Sequence, residues 1–206
     1  MVTQTERVPI TPSQYDETAA VLTRSFWDDP LMEFMVPDEE KRNRTLPWFF
    51  QKALKIAELY GDSGTTPGEV QGAALWLPPN GWALTPGRML RVGMLAAPFK
   101  FGLPTFMRFM TAMNHVEHLH KQDMAEPHHY LMVLGVDSDK QGQGVGSKLI
   151  SPGLARADAD RLPCYLETMK TRNLDFYGKH GFEVVHAGDI PNGGPPFWTM
   201  RREPIG

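Results

Sequence analysis

A glycine-rich turn at residues 141–146, which reads QGQGVG, most constrains what this chain can fold into. It lies between a strand-like apolar run that ends near Val136 and an amphipathic helical pattern that includes Leu149, Leu154 and Ala157. Backbone amides at a helix N-terminus have no partner within the helix and carry a partial positive charge. A turn without side chains there can therefore hold a phosphate or pyrophosphate. The order of strand, glycine turn and helix predicts an α/β chain with an anion-binding site.

Two better-known phosphate loops do not fit this turn. The dinucleotide fingerprint GxGxxG requires glycine where the chain has Ser147, and the Walker loop requires lysine directly before serine or threonine, whereas Ser147 precedes Lys148. An ordinary strand-to-helix turn would also use glycine, because glycine adopts positive φ angles at little steric cost. On the turn alone, phosphate binding and a plain turn are both open interpretations.

Length and composition exclude several classes of function. A chain of 206 residues fits one domain of ordinary size. Its formal net charge of -3 gives no basic footprint of the kind that binds nucleic acid. We find neither a secretory signal pattern nor an apolar span long enough to cross a membrane, and the single cysteine, Cys164, suits a reducing compartment. We therefore expect a cytoplasmic protein without nucleic-acid or membrane partners, and the oligomeric state is left open.

The amino-terminal part of the chain alternates helical and strand-like patterns. After an extended start at residues 7–10, an apolar stripe with helical spacing predicts a first helix. The stripe consists of Tyr15, Ala19, Leu22 and Phe26. A second helix is predicted from about Pro47 to Leu59, and a buried strand at residues 70–77.

Residues 78–127 are rich in methionine, phenylalanine, glycine and proline. Two short helices are predicted there, at residues 86–96 and 105–124. Because methionine packs adaptably, the segment would form either a plain helical core or surface lid, which we favour, or the lining of a forgiving pocket. We predict one domain over residues 1–206 with this segment as a helical insertion.

The carboxyl-terminal part predicts a short helix at residues 173–177 and strands at 129–136, 164–167, 182–186 and 197–200. Within it, Gln141, Gly144 and Gly146 match every defined position of the QxxGxG pattern of the GCN5-related N-acetyltransferase (GNAT) superfamily. The preceding LGVD resembles the superfamily's splayed strand. The resemblance implies an α/β (α+β) GNAT fold, in which a mixed, mostly antiparallel central sheet is splayed in the middle and carries helices on both faces. It also implies acetyl-coenzyme A as the acetyl donor and an amine as the acceptor.

A longer stretch, roughly residues 128–202, looks like the puromycin N-acetyltransferase branch of the superfamily. The resemblance is carried by Tyr165, Leu166, Glu167, Thr168, Arg172, Asn173, Leu174, Phe176, Tyr177, Gly181, Phe182 and Glu183. Residues 78–127 do not align by eye, so the identity of the acceptor is left open.

The resemblance implies a coenzyme site in which the glycine turn holds the pyrophosphate and the splayed strand lies along the pantetheine arm. The residues predicted to contact the coenzyme are Leu134, Gly135, Val136, Gln141, Gly142, Gln143, Gly144, Val145, Gly146, Ser147, Asn173 and Tyr177. A backbone amide near Leu134 or Gly135 would polarise the acetyl carbonyl in the manner of an oxyanion hole.

Two side chains are candidates for proton transfer. The resemblance places Tyr177 beside the coenzyme sulfur as general acid, with Asn173 one helical turn earlier on the same helix face. Glu167, inside an otherwise apolar strand, is the candidate general base or an electrostatic attractor of the acceptor cation. The alternatives are a packed aromatic for Tyr177, a helix N-cap for Asn173 and an ion pair with an arginine for Glu167. We expect direct transfer in a ternary complex, with Cys164 a buried hydrophobe rather than a nucleophile.

The acceptor contacts are predicted in the loop after the first helix, which borders the acceptor site in the superfamily. Aromatic and acidic side chains suit a cationic amine with an apolar body. The candidates are Phe26, Trp27, Asp28, Asp29 and Phe34, with His129 as a further one. The alternative is an aromatic cluster at the edge of the core, next to an aspartate turn.

Several histidines are close together in the sequence but lack a zinc spacing. They are His115, His118, His120, His128 and His129. We predict no metal site and expect these histidines to be scattered over the surface.

Together these patterns predict an N-acetyltransferase that acts on the primary amine of a small molecule. One alternative is a module of the same fold that binds acyl-coenzyme A as a sensor without turnover. Another is an acyltransferase that uses a longer acyl chain.

Overall fold

The computed structural model describes residues 7–83 and 85–206. In this part of the chain, strands form one sheet in the order β1-β2-β3-β4-β5-β7-β6. Neighbouring strands are antiparallel except for β4 and β5, which are parallel. The strands are β1 Val8–Pro9, β2 Asp62–Thr65, β3 Gly72–Leu77, β4 His129–Val136, β5 Cys164–Thr168, β6 Glu183–Asp189 and β7 Pro196–Arg202. The predicted mixed, mostly antiparallel sheet is confirmed.

Helices cover both faces of this sheet, as predicted. The α-helices are α1 Tyr15–Ser25, α2 Pro30–Met35, α3 Glu39–Tyr60, α4 Pro86–Arg91, α5 Ala97–Phe101, α6 Leu103–Asp123, α7 Val145–Asp160 and α8 Arg172–Gly178. One core, which includes Leu22, Phe50 and Phe109, joins α1, α3 and α6 to one face of the sheet. A second core, which includes Leu149 and Tyr177, joins α7 and α8 to the other face.

The sheet divides in the middle, between β4 and β5. Over these two strands, pairing is confined to His129 with Cys164 and Tyr130 with Tyr165. Beyond Tyr130 the strands diverge, and we call the gap between them the splay. Because an unpaired strand edge presents free amide and carbonyl groups, the splay exposes one side of β4 to any molecule that enters it.

A β-bulge lies in β4 just beyond the point of divergence. Leu75 of β3 faces Val133 and the adjacent Trp76 faces Leu131, so Met132 is the extra residue. A bulge shifts the alternation of side chains by one residue. Accordingly, Met132 and Val133 both pack against the first core, whereas Leu131 and Leu134 pack against the second.

In the amino-terminal part of the chain, two elements were not predicted, and a third begins earlier than expected. Asp29 and Pro30 end the first helical pattern but also start α2, because the Asp29 side chain accepts a hydrogen bond from the Leu31 amide. Strand β2 reads DSGT and carries no apolar alternation, so its conformation depends on pairing with β3. The expected start of the second helix near Pro47 is wrong. Helix α3 begins eight residues earlier, at Glu39, where Asp38 caps it, and Pro47 lies inside the helix.

The methionine-rich segment forms helices in its described residues, although not with the predicted bounds. Gly93, at φ 78°, separates α4 from the helical residues that follow it, and Gly102, at φ 70°, separates α5 from the long α6. Phe101, Phe109 and Leu119 of this segment are buried in the first core. Among the described residues, no helix combines the length and the apolar character needed to span a bilayer.

Candidate active site

The exposed edge of β4 forms one wall of the splay. Gly135 allows α1 to pack closely on this wall, because a β-carbon there would be 2.6 Å from Leu22 Cδ2. The Val136 amide donates a 3.1 Å hydrogen bond to the Ser25 hydroxyl, on the side away from β3. Amides alternate sides along a strand, so the Leu134 amide faces the same open side. This geometry favours Leu134 over Gly135 as the amide that points into the splay.

The glycine turn follows β4 and leads into α7. Gly142 and Gly144 have positive φ angles, of 74° and 79°, and a β-carbon on either would meet no described atom within 4 Å. The side chains of Gln141 and Gln143 fold back, donating hydrogen bonds to the backbone oxygens of Val136 and Asp139 at 3.0 and 2.9 Å. The turn therefore has open space in front of its backbone.

Gly144 is the N-cap residue of α7, and no side chain caps this helix end. The first amides of the helix, those of Val145, Gly146 and Ser147, have no acceptor within the helix. Val145 is buried, and a β-carbon on Gly146 would be 3.2 Å from the Phe176 ring. An uncapped helix N-terminus beside open glycines fits a pyrophosphate group in charge and in space.

Helix α8 places the two residues that were predicted on one helix face. Asn173 lies at the second position of α8 rather than at its N-cap, which is Thr171, so the N-cap alternative is wrong. Its side-chain amide donates a 2.9 Å hydrogen bond to Thr168 Oγ1 at the end of β5. Asn173 thus joins α8 to the strand that forms the other wall of the splay.

Tyr177 is 6% exposed and packs its ring edge-on against Phe182 in the second core. Its hydroxyl forms no hydrogen bond with the residues that the structure describes. Burial raises the pKa of this phenol, and the charge of Asp29 raises it further. Tyr177 therefore remains protonated at neutral pH, as a proton donor must.

The loop after α1 meets the start of α8. Lys170 Nζ lies 2.6 Å from Asp28 Oδ1, and this ion pair joins the two segments. Asp29 is buried and caps α2, and its pKa is raised by burial, against a lowering by the Lys170 charge. The structure therefore brings two of the predicted acceptor residues close to the helix that carries Tyr177.

The aromatic candidates in this region differ in their surroundings. The Phe26 ring lies 5.2 Å from Phe50 and packs over Gly135. Trp27 is partly exposed and carries the Arg42 guanidinium 4.6 Å above its ring. Phe34 is also partly exposed and contacts the first core.

An open groove passes between the loop after α1 and the glycine turn. It has a volume of ≈ 860 Å³. Its lining includes Trp27, Asp28, Ser138, Gln141 and Arg172. The groove thus connects the predicted acceptor loop with the predicted phosphate turn and with the start of α8.

Glu167 lies on β5, two residues beyond the last pair that joins β4 to β5. Its side chain is 6% exposed. The Tyr130 hydroxyl donates a 2.8 Å hydrogen bond to Glu167 Oε2, and His120 Nδ1 is 3.3 Å from Oε1. The nearest ionisable partner is therefore a histidine of α6 rather than an arginine.

The expectation of scattered surface histidines is wrong for three of them. His120, His128 and His129 are all buried. His120 and Tyr130 are also the two neighbours of Glu167 that sequence reasoning missed. No local signal identifies them, because their contact with Glu167 depends on how α6 folds back onto the sheet.

His129 lies at the closed end of the splay. Its Nε2 is 2.9 Å from Asp160 Oδ2 of α7. Side chains alternate along a strand, so His129 faces the sheet side opposite to Tyr130 and Glu167. The structure thus separates His129 from the other predicted acceptor residues.

Comparison with known proteins shows what this chain is similar to. Residues 109–184 match the family model of the acetyltransferase (GNAT) domain. This part of the chain is therefore similar to the GNAT acetyltransferase domain. The matched range includes β4, the glycine turn, β5 and α8, which form the splay and its surroundings.

Relatives extend this likeness beyond the matched range. An uncharacterized N-acetyltransferase of Schizosaccharomyces pombe is 26% identical over 198 residues, which cover 92% of this chain and 80% of the relative. A Corynebacterium glutamicum structure, named as histone acetyltransferase HPA2 and related acetyltransferase, superimposes with a TM-score of 0.68 at 24% identity, covering 97% of this chain and 96% of the other. The Drosophila melanogaster polyamine N-acetyltransferase gives a TM-score of 0.60 at 11% identity, covering 96% and 98%. The GNAT fold is therefore confirmed.

Proposed function

We propose that this GNAT domain transfers the acetyl group of acetyl-coenzyme A directly to the primary amine of a small molecule. The observation that carries the proposal is the divergence of β4 from β5 directly beyond Tyr130. It leaves an open strand edge between an uncapped helix N-terminus and a buried carboxylate, Glu167. Phosphate-binding, amide-binding and proton-accepting groups thus follow one another along a single gap.

The residues present fit acetyl-coenzyme A, which would supply an activated acetyl group and a thiolate leaving group. The open glycines and the free amides of the first turn of α7 fit its pyrophosphate. The unpaired edge of β4 fits the amide groups of its pantetheine arm. The proposed contacts are Leu134, Gly135, Val136, Gln141, Gly142, Gln143, Gly144, Val145, Gly146, Ser147, Asn173 and Tyr177.

Three groups of the chain would act on the reacting atoms. Glu167 would accept a proton from the acceptor ammonium, which turns the amine into a nucleophile. The Leu134 amide would donate a hydrogen bond to the acetyl oxygen as negative charge develops there. Tyr177 would donate its proton to the departing sulfur. Cys164 is fully buried, and burial raises the pKa of its thiol to about 12, which supports direct transfer rather than a cysteine-linked intermediate.

The acceptor is proposed to be a small cationic amine. Asp28 and Asp29 supply negative charge beside the aromatic ring of Trp27, and this combination suits an ammonium group on an apolar body. The similarity of the carboxyl-terminal half to the puromycin N-acetyltransferase branch supports the same class. The Drosophila neighbour, which is named for forming N-acetylagmatine, shows that this fold can serve such an acceptor. We propose a cytoplasmic location as well, in keeping with one buried, free cysteine.

The first test is calorimetric titration with acetyl-coenzyme A, desulfo-coenzyme A and NADH, followed by thiol release with a panel of amines. The panel would contain agmatine, spermidine, tyramine and puromycin. We expect selective coenzyme binding and thiol release that depends on the amine. Binding with no release from any amine would favour a sensor, and faster release from propionyl- or succinyl-coenzyme A would favour a longer acyl donor. Absence of coenzyme binding would contradict the proposal as a whole.

A further inference from the structure

A row of buried polar groups extends from Glu167 away from the splay. His120 Nδ1 is 3.3 Å from Glu167 Oε1, and His120 Nε2 is 2.7 Å from His128 Nε2. His128 Nδ1 is 2.7 Å from the backbone oxygen of Glu126. Both histidine side chains are about 1% exposed. Water therefore cannot make up for a mismatch of donors and acceptors along this row.

The positions of the protons follow from the chemistry of each atom. A carbonyl oxygen only accepts, so His128 Nδ1 carries a proton. Burial lowers the pKa of His128 to about 4, so this ring is neutral at pH 7 and its Nε2 accepts. His120 Nε2 must then be the donor in the contact between the two rings.

The same accounting leaves one proton to be assigned at Glu167. If His120 were neutral, its Nδ1 would hold a lone pair that faces a carboxylate oxygen. Glu167 Oε1 is buried and receives no hydrogen bond from the described residues. A buried carboxylate oxygen without a hydrogen bond needs a compensating charge, and His120 Nδ1, 3.3 Å away, is the nearest atom that can carry the proton to supply it.

Three features favour the ionised form, in which His120 carries this proton. The Trp82 ring stacks on His120 at 3.9 Å and nearly parallel, and an aromatic face attracts a cation. Tyr165 lies against His120, with ring centres 4.3 Å apart. The Tyr130 hydroxyl donates to Glu167 Oε2, and a donated hydrogen bond stabilises the charged carboxylate.

We propose that His120 is a positioning residue: as an imidazolium it keeps Glu167 ionised and oriented to receive the acceptor ammonium. The kinetic part of this inference rests on the proposed acetyl transfer, whereas the protonation part does not. Tyr130 holds one oxygen of the carboxylate by a hydrogen bond, and His120 lies 3.3 Å from the other. The remaining lone pairs of Glu167 are then free for the acceptor.

The other groups around the pair do not supply this proton. Burial raises the pKa of Tyr130 and of Tyr165, so both phenols remain neutral donors. Tyr165 donates to Asp123 Oδ2 at 3.0 Å, and Thr199 of β7 donates to the same oxygen at 2.6 Å, so this carboxylate has its own partners. Arg201 of β7, beside His128, pairs with Glu126 and Glu203. Its charge lowers the pKa of His128 and so helps to keep that ring neutral.

Nitrogen NMR of histidine-labelled protein tests the protonation without any need for activity. In the wild type at pH 7 to 8 we expect one imidazolium with both ring nitrogens protonated, which disappears in His120→Gln. We also expect this ring to become neutral in Glu167→Gln, which removes the negative charge. A neutral His120 with an unprotonated Nδ1 in the wild type would overturn the proposal.

The pH profile of kcat/KM tests the effect on the reaction, with His118→Gln as the matched control. His118 is exposed on the same helix, two residues from His120. An opposite charge within contact distance moves the ionisation of a carboxylate by about one to three pH units. We therefore expect the acid limb of His120→Gln to move to higher pH by at least about one unit, so that the loss approaches roughly tenfold below the wild-type limb and recovers as the pH rises. An equal loss at every pH would mean a merely structural role and would contradict the proposal, whereas inactivity of every form including the wild type would instead contradict the proposed acetyl transfer.

Discussion

Gly153 of α7 lies against the indole ring of Trp76 in β3, so closely that a β-carbon on Gly153 would be 2.4 Å from Trp76 Cε2. Helix propensity alone would favour alanine at this position by about 1 kcal/mol. The steric overlap outweighs that gain, because Gly153 and Trp76 both lie in the packed interface between α7 and the sheet. We expect Gly153→Ala to lower the free energy of unfolding by about 2 kcal/mol.

Urea denaturation checks this expectation, with Gly87→Ala as the control. Gly87 also lies in a helix, α4, and a β-carbon there would meet no described atom within 4 Å. The control should be neutral or slightly stabilising, by up to about 1 kcal/mol. Equal stability of the two variants would mean that α7 does not approach β3 as closely as described.

Gly144→Ala should weaken the binding of acetyl-coenzyme A, because a methyl group would occupy the space in front of the helix amides. Gly193→Ala is the matched control, since Gly193 has a φ of 76° against 79° for Gly144 and is equally open around its β-carbon. Both variants should lose about 1 kcal/mol of stability from backbone strain. Only Gly144→Ala should lose coenzyme affinity, by about tenfold or more, and calorimetry measures the difference. Equal coenzyme affinity in the two variants would contradict the proposed phosphate contact.

Tyr177→Phe should lower kcat while coenzyme affinity stays near that of the wild type, because the substitution removes the proton donor and keeps the packed ring. General acids contribute about 10²- to 10⁴-fold, so we expect a loss in the lower part of this range. Steady-state kinetics beside calorimetry separates the two quantities. Tyr60→Phe, which alters a partly exposed tyrosine outside the splay, should behave like the wild type. Unchanged kcat in Tyr177→Phe would exclude the acid role.

The folded protein should lose stability as the pH falls below 6.5, in part through His128. Its folded pKa of about 4 lies below the ordinary value of 6.5, so the unfolded chain binds more protons in this range. The contribution of His128 is therefore complete above pH 6.5 and is lost as the pH falls towards 4. Between pH 7.5 and 5 we expect a loss of about 2 kcal/mol from this group.

Urea denaturation at a series of pH values measures this loss. His128→Gln should be less stable at pH 7.5 but should have a flatter pH dependence. His118→Gln should retain the wild-type slope, because His118 is exposed. An unchanged slope in His128→Gln would show that this ring is not the source of the pH dependence.

The carboxyl-terminal half could be predicted from sequence because its signals are local. The strand His129–Val136 has the predicted bounds, and the glycine turn and α7 follow it as expected. The elements that were not predicted, β2 and α2, lack such local signals. Strand β2 has four small or polar residues and depends on pairing with β3, and α2 begins at the same Asp29 and Pro30 that end the preceding helical pattern.

The candidate site shows the same division. The glycine turn, Asn173 and Tyr177 were found from short motifs in the sequence that resemble those of the GNAT superfamily. Their roles remain predictions. His120 was not found, because it lies on α6, whereas its neighbours Tyr130 and Glu167 lie on β4 and β5. Only the folding of α6 onto the sheet brings the three residues together. A contact between residues that are far apart in the chain produces no periodic pattern in the sequence, so sequence analysis cannot detect it.

The short pairing of β4 with β5 also has a mechanical consequence. Six residues of β4 extend beyond Tyr130, the last paired residue, which corresponds to an arm of about 20 Å. If the two strands pivot by about 5° at the paired end, the tip of this arm moves by about 2 Å, the difference between a hydrogen bond and none. The packing of side chains at the paired end, such as Tyr130 and Tyr165, therefore determines how wide the splay is at its open end.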